Sequence, residues 1–412
     1  MKKTIVQAGK DFFQGKRVLM RVDFNVPQNE DGSISDDTRI KAALPTIDFL
    51  RQAEAKVILM SHLGRPKGKS EKWTLKPVAK RLTELLAKTG SGKVIFAEDC
   101  TGEPAVTAIS QLNAGDVCLL ENLRFYAEEE KNDPQFAKKL AELGDVYVDD
   151  AFGTSHRAHA STEGVTHFLR PALAGMLLER EIKMLSETLN NPSRPFATIV
   201  GGAKVSSKMG VLDHLLTRAD VIIIGGAMVF SFLKARGLEI GKSLVEDDQL
   251  DYCRKLEAKA KAKGVSLVLP VDFICAREIK PDAEKICVKA NEIPADMMGL
   301  DLGPESMSEI LSLLKNCKTI LWNGPLGVFE VSGFEKGTYA LIDELVKLTG
   351  SGVKTIVGGG DSVSALKAKN IPDSDMTHVS TGGGASLEFL EGIELPGIAC
   401  LDEAEAKTPA AC

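Results

Sequence analysis

Short apolar runs rich in Val, Ile and Leu recur along the chain, and each ends abruptly in glycine, charge or amide. Val18-Leu19-Met20 breaks at Arg21-Val22-Asp23-Phe24-Asn25, and Val57-Ile58-Leu59-Met60 breaks at Ser61-His62-Leu63-Gly64-Arg65. Thr198-Ile199-Val200 runs into Gly201-Gly202-Ala203-Lys204, and Thr355-Ile356-Val357 into Gly358-Gly359-Gly360-Asp361. Runs without polar alternation suit strands buried on both faces. Helical patterns alternate with them. Asp133-Pro134 opens one that carries Phe136, Leu140 and Leu143 on one face and stops at Gly144. Thr74 precedes a second, with Val78, Leu82, Leu85 and Leu86, ending at Gly90. Asp248 to Lys263 is a charged helix stopped by Gly264, and the strand Val265 to Pro270 follows it.

This alternation predicts an α/β fold of parallel sheets with right-handed crossovers. A chain of 412 residues exceeds one ordinary core, so two doubly wound, Rossmann-like domains are expected. The break falls at Asn190-Asn191-Pro192-Ser193-Arg194-Pro195, after the long helical pattern Leu177 to Leu189. The expected division is an N-terminal domain over 1–185, a C-terminal domain over 186–392, and a strap or tail over 393–412. The helix before the break serves as hinge. Leu395-Pro396-Gly397-Ile398 and the Ala/Glu-rich residues after it read either as a frayed end or as a strap packed on another element.

Composition narrows the function classes. The net charge of −6 argues against a general nucleic-acid surface, so arginine clusters are expected to be local anion sites. The longest apolar stretch, Val221 to Leu233, is broken by Gly225 and Gly226 and is too short for a bilayer. Met1-Lys2-Lys3 is not followed by a signal-type apolar core. Eight cysteines without a C-x-x-C pair suit reduced thiols in a cytoplasmic enzyme.

The two halves carry different chemistry at their strand ends, and ligands of open α/β sheets bind outside those ends. In the first half Arg21, Arg39, His62, Arg65, Arg124, His156, Arg157 and His159 fall in or beside loops. Arginine forks bind carboxylate and phosphate bidentately, so together these residues suggest an anion pocket. Arg21 is its weakest member, because a strand residue can point away, and Leu119 to Phe125 is open to reading as a sheet edge. The second half offers Gly201 to Lys208, where Lys204 and Lys208, four apart, would share a helix face and one polyphosphate. Gly358-Gly359-Gly360-Asp361-Ser362 adds a carboxylate fit either to cap a helix or to sit beside Mg²⁺. Thr381-Gly382-Gly383-Gly384 adds bare N–H groups for a transferring phosphoryl oxygen. The two Gly-Lys-Ser triplets, at Gly68 and Gly241, have their preceding glycine one residue too close for a P-loop. No Gly-x-Gly-x-x-Gly supports a dinucleotide-dependent dehydrogenase, and no Ser–His–Asp or Cys–His pattern supports a hydrolase.

In sum these segments resemble phosphoglycerate kinases, from about Lys16 to Gly392. The resemblance rests on Arg-Val-Asp-Phe-Asn-Val-Pro (21–27), Ser-His-Leu-Gly-Arg-Pro (61–66) and Asp-Ala-Phe-Gly-Thr-Ser-His-Arg (150–157). In the second half it rests on Gly-Gly-Ala-Lys-Val-Ser-Ser-Lys (201–208), Met-Gly-Leu-Asp-Leu-Gly-Pro (298–304) and Leu-Trp-Asn-Gly-Pro-Leu-Gly-Val-Phe-Glu (321–330). Gly358 to Ser362 and Ser380 to Ser386 complete it. It implies that Asp23, Asn25, Arg39, His62, Leu63, Gly64, Arg65, Arg124 and Arg157 hold 3-phosphoglycerate. Lys204, Lys208, Gly299, Asn323, Glu330, Gly359, Gly360, Asp361 and Ser362 would line the nucleotide site, with Glu330 on the ribose and Asp361 toward Mg²⁺. Arg39, Lys204, Gly382 and Gly383 would stabilise the phosphoryl group in flight. The implied reaction is reversible transfer between MgATP and 3-phosphoglycerate, giving 1,3-bisphosphoglycerate and MgADP in glycolysis. The implied partners are these small molecules, with no nucleic acid and no membrane, and the expected state is a cytoplasmic monomer. A non-catalytic anion-binding protein on the same scaffold is the alternative, disfavoured by the presence of Arg39, Lys204, Lys208 and Asp361 together.

Transfer between ligands held in separate domains implies hinge closure near Glu181 to Pro195. Small-angle scattering should therefore show compaction with both substrates present; an unchanged profile in the ternary complex would exclude the hinge.

Overall fold

The structure is a computed structural model that describes residues 2–88, 90 and 92–404. It divides into two compact units: Met1–Lys183 together with the segment from Glu394, and Met184–Ile393. The division falls inside one helix, Met176–Asn190.

The first unit is built on β1 Arg17–Arg21, β2 Lys56–Met60, β3 Val94–Phe96, β4 Val117–Leu119, β5 Val146–Asp149 and β6 Ala172–Ala174. All neighbours are parallel, in the order β3-β4-β2-β1-β5-β6. In β1 and β2 every residue after the first is buried, as expected of a parallel sheet covered on both faces. The helix Thr38–Gln52 supplies one cover, burying Ile40, Ala43, Ile47 and Leu50 at helical spacing. The helix Pro134–Ala141 starts as its sequence predicts: the Asp133 side chain accepts from the Phe136 N–H at 2.8 Å and proline takes the first turn. β4 lies between β3 and β2. The segment after it is therefore interior rather than a sheet edge, and Glu121 and Asn122 are buried.

The segment from Glu394 packs within this unit as a strap. Leu395 and Leu401 are buried. The Gly397 N–H donates to the Ser155 carbonyl at 2.9 Å, and the Asp402 carbonyl accepts from the Lys3 N–H at 2.7 Å. The last part of the Ala/Glu-rich tail, 405–412, lies outside the described residues.

The second unit has a parallel sheet of β7 Phe196–Val200, β8 Val221–Ile224, β9 Ser266–Val268, β13 Thr319–Asn323, β14 Lys354–Gly358 and β15 His378–Val379. Its order is β15-β14-β13-β7-β8-β9. A three-stranded antiparallel sheet, β11-β10-β12, departs from the expectation of parallel sheets alone. It comprises β10 Asp272–Ala276, β11 Ile286–Lys289 and β12 Met298–Leu302. The charged helix runs Leu250–Lys263 behind a 3₁₀ turn at Asp247–Gln249 and ends at Gly264, which is left-handed with φ 71°. No helix among the described residues is long and apolar enough to cross a membrane.

The antiparallel sheet is tied to the helix Pro304–Leu314 by one carboxylate. Asp272 accepts from the Glu305 N–H at 3.0 Å, the Ser306 N–H at 2.8 Å and the Ser306 hydroxyl at 2.5 Å. Burial works to raise its pKa, yet these donors prevail and hold it below the ordinary carboxylate value. A lowered folded-state pKa adds stability that is fully present above the unfolded value and is lost as pH falls through the folded one. Asp272→Asn should therefore destabilise the second unit by about 1–2 kcal/mol at neutral pH. In urea titrations the gap from the parent should close below about pH 4; a gap of constant size would show that the charge contributes nothing.

Candidate functional site

Parallel strands all deliver their carboxyl ends to one edge, so the loops after β1, β2 and β5 meet. Arg21, the last residue of β1, stands in register with Met60 and with Asp149. Its side chain does not point away, as its place in a strand had suggested. It is 1% exposed and turns into the loops, where Nε donates to Ser161 Oγ at 2.8 Å and Nη2 to His62 Nδ1 at 3.1 Å. Nη1 donates to the Val22 carbonyl. The strand ends here, so the alternation that would have set its direction no longer binds it.

Guanidinium has no acceptor. His62 Nδ1 must therefore accept, and the imidazole proton lies on Nε2. Burial, and then the charges of Arg21, Arg124 and Arg39, push His62 well below the ordinary imidazole range. The ring is neutral near pH 7 and keeps Nε2–H as a donor. His159 is buried close by and is pushed down to about 4 by burial and then by Arg21, Arg124 and Arg157.

Arg39 enters from the start of the helix Thr38–Gln52. Its Nη1 donates to Asp23 Oδ2 at 2.8 Å and to the Asn25 carbonyl at 3.2 Å, which leaves Nε and Nη2 for a ligand. Asn25 Oδ1 accepts from the Gly64 N–H at 2.9 Å. Gly64 needs to be glycine twice over: φ is +64°, and a Cβ would lie 2.3 Å from the Trp73 ring. Leu63 is clamped by Asn122, which accepts from its N–H at 3.1 Å and donates to its carbonyl at 2.8 Å. Arg124 donates from Nη1 to the Gly64 carbonyl at 2.8 Å. Its Nε is buried without a hydrogen-bond partner, 3.4 Å from Glu130. Arg157 follows β5 and donates from Nε to His156 Nε2 at 3.1 Å. The structure thus brings Asp23, Asn25, Arg39, His62, Leu63, Gly64, Arg124 and Arg157 together, with Arg21 and His159 beneath them. Arg65 is exposed on the same loop as Gly64 and makes no hydrogen bond among the described residues.

In the second unit the ends of β7, β13 and β14 are adjacent. Gly201 and Gly324 pack backbone against backbone: a Cβ on Gly201 would lie 2.1 Å from the Pro325 carbonyl oxygen, and one on Gly324 2.2 Å from that of Gly201. This close approach explains the glycines more directly than a ligand does. Lys204 and Lys208 do not share a helix face, because Ser206–Lys208 is a 3₁₀ turn and the helix begins at Met209. Lys204 is exposed. Lys208 is partly buried and donates to Asn323 Oδ1. Burial lowers its pKa, opposed by the charges of Asp361 and Glu391. Asn323 is 1% exposed, and its Nδ2 is buried without a partner; a Cβ on Gly359 would come within 3.0 Å of it. Gly359 has φ +90° and caps the helix Gly360–Ala368, which carries Asp361 in its first turn. The Ser362 hydroxyl accepts from the Gly324 N–H at 2.6 Å, so that hydroxyl already serves the fold. Gly382 precedes the helix Gly383–Leu390. A Cβ on Gly383 would lie 3.9 Å from the Gly360 N, so two helix N-termini converge.

Beside these turns is an apolar cavity of about 200 Å³, lined by Phe230, Leu244, Phe273, Ile279, Leu326 and Val328 among others, with Gly299 in its wall. Sequence reading had given a binding role only to Gly299, although Leu326 and Val328 lie in the 321–330 segment it singled out. Phe230, Leu244, Phe273 and Ile279 come from separate segments with no shared spacing, so no local pattern announces them. Gly299 donates its N–H to Ser243 Oγ at 3.0 Å and leaves no room for a Cβ beside the Phe230 ring, 2.3 Å away. Glu330 is exposed.

Comparison with known proteins gives a family. The family model described as Phosphoglycerate kinase matches residues 10–393. A phosphoglycerate kinase of Microcystis aeruginosa is 56% identical over 405 residues, covering 98% of this chain and 100% of that protein. One of Prochlorococcus marinus is 56% identical over 390 residues, covering 94% of this chain and 96% of its own length. The structure of phosphoglycerate kinase from Coxiella burnetii superposes with a TM-score of 0.86 at 40% identity, covering 97% of this chain and 98% of that one. That of the Pyrococcus horikoshii enzyme gives 0.79 at 33%, covering 94% and 96%.

Proposed function

The chain belongs to the phosphoglycerate kinase family, and on that premise we propose which of its residues carry the reaction. The activity is reversible phosphoryl transfer between ATP and 3-phosphoglycerate, giving 1,3-bisphosphoglycerate and ADP. The acceptor is a carboxylate with a pKa of about 4, already an anion at neutral pH, so no general base is required. The barrier is alignment and repulsion: two unit charges 4 Å apart repel by about 4 kcal/mol at a protein-like dielectric. Cations, not bases, are what the site must supply.

The observation that carries the reading is the arginine cluster of the first unit. Arg21, Arg39, Arg124 and Arg157 perturb the two buried histidines, which stay neutral. Such a cluster suits a small acid bearing more than one negative charge. In our reading Arg124, Arg157 and His62 hold its phosphate and hydroxyl, and Asp23 and Asn25 orient Arg39 toward the reacting carboxylate. Arg65 would supply a further cation from solvent.

In the second unit the apolar cavity with Gly299 would take the base, and Glu330 the ribose. The unpartnered Asn323 Nδ2, Lys208 and the N–H groups from Gly359, Gly360 and Ser362 would take the phosphates. Lys204, Gly382 and Gly383 would face the transferring group. No group of three or more His, Cys, Asp or Glu side chains among the described residues forms a metal cage. A single carboxylate, Asp361, instead fits a Mg²⁺ that arrives on the nucleotide phosphates. Bound there, the ion would offset phosphate charge during transfer. We further propose that the protein works as a cytoplasmic monomer on these small molecules alone.

A coupled assay for 3-phosphoglycerate-dependent ADP formation tests the activity directly. Arg39→Ala should lower turnover by roughly 10³-fold while leaving MgADP affinity within about twofold, as for arginines that act on the phosphoryl in flight. Lys208→Ala should do the opposite, weakening MgADP about tenfold or more. Calorimetric titrations in which both variants lose nucleotide affinity alike would overturn this division of roles.

A further inference from the structure

Arg21 stands at the centre of a buried chain of hydrogen bonds whose far end touches no ligand. Glu129, 1% exposed, lies in the short helix Ala127–Glu130. Its Oε1 accepts from the Ser161 hydroxyl at 2.5 Å and its Oε2 from the Ser161 N–H at 3.0 Å. The Tyr147 hydroxyl holds the Ser161 carbonyl at 2.9 Å. Ser161 is thus fixed by backbone and side chain, and its Oγ accepts from Arg21 Nε at 2.8 Å.

Arg21 sets the direction of both bonds it makes in the chain. A guanidinium only donates, so Ser161 Oγ accepts from it and its O–H is left to donate to Glu129 Oε1. For the same reason His62 Nδ1 accepts and the ring proton sits on Nε2. Glu129 therefore aims Arg21, and Arg21 selects the tautomer of His62. Were Arg21 slack, the proton of a neutral ring would be free to move to Nδ1. Nε2 would then meet an anionic ligand as a lone pair, exchanging an attraction for a repulsion.

We propose that Glu129 and Ser161 are positioning residues for acceptor-substrate binding, acting through Arg21 to hold His62 as a neutral Nε2–H donor. This rests on the assignment of the arginine cluster to 3-phosphoglycerate. Glu129 and Ser161 lie behind Arg21 in that cluster and set the tautomer in which His62 meets the acid.

The test uses Ser161→Ala and Glu129→Gln in the full-length protein, with imidazole ¹⁵N spectra and steady-state kinetics; the His62 signal is identified by its loss in His62→Gln. The parent should show only the Nε2–H form of His62 between about pH 5.5 and 8. Both variants should show a mixture of tautomers. Their KM for 3-phosphoglycerate should rise about tenfold or more, the scale of a lost hydrogen bond to a charged group, with KM for ATP within about twofold. If Glu129→Gln does not fold, Ser161→Ala, which removes a single oxygen, carries the test alone. A parent-like tautomer in Ser161→Ala, or KM values for both substrates rising together, overturns the proposal. A shifted tautomer with an unchanged 3-phosphoglycerate KM overturns it differently, by showing that the cluster is not that subsite while the tautomer relay stands.

Discussion

The constraint on which the rest depends is the parallel strand. Every strand of a parallel sheet ends at the same edge, so loops far apart in sequence are collected there without any design of their own. Residues 21–25, 61–65 and 150–157 meet because β1, β2 and β5 are neighbours in register. Residues 201–208, 323–330 and 358–362 meet because β7, β13 and β14 are. The same parallel packing demands apolar residues on both faces of each strand. Chemistry is thereby driven off the strands and into the turns that follow them.

Once gathered, the cations must be kept apart and kept charged. Buried arginines repel, and each needs acceptors to offset lost hydration. Arg21 has the Ser161 hydroxyl and the Val22 carbonyl, Arg39 has Asp23, and Arg124 has the Gly64 carbonyl with Glu130 nearby. Histidine gives way first, since it alone among these cations can shed its charge near neutrality. The neutral state of His62 and His159 is thus a consequence of their burial and then of the arginines around them, and it supplies a hydrogen-bond donor without adding a further charge.

How much of this was legible in sequence depended on whether a feature is local. The Asp133 cap, the Gly264 stop and the glycine-rich strand ends are set by neighbours within a few residues, and they read correctly. The antiparallel sheet did not read, because β11 alternates partly buried and exposed positions and its pairing is decided by the body it lies on. The shared face of Lys204 and Lys208 failed for a local reason: a 3₁₀ turn over Ser206–Lys208 delays the helix by a residue spacing that periodicity cannot resolve. Arg21 was underrated because strand alternation was extended to a residue at which the strand stops. Glu129 and the cavity walls Phe230, Leu244, Phe273 and Ile279 carry no motif, since each acts through contacts of long sequence separation.

On the proposed assignment of one ligand to each unit, the difference between the units follows from what each ligand can offer. A three-carbon phosphorylated acid has almost no apolar surface, so its binding free energy has to come from charge-assisted hydrogen bonds. That calls for several guanidiniums, and the first unit concentrates Arg39, Arg124 and Arg157 with Arg21 behind them. A nucleotide brings a flat aromatic base, and burying it in an apolar cavity contributes affinity that no phosphate contact need supply. On that assignment the second unit would meet the phosphates mainly with backbone N–H groups at helix starts and few side-chain cations. A lighter charge on that side has a kinetic merit as well. ADP and ATP must both bind and leave, and a site that gripped the triphosphate with as many arginines would favour one side of a reversible transfer. Arginine in one unit and glycine in the other thus answer the same requirement, neutralising anions, for ligands that differ in how much else they can bind with.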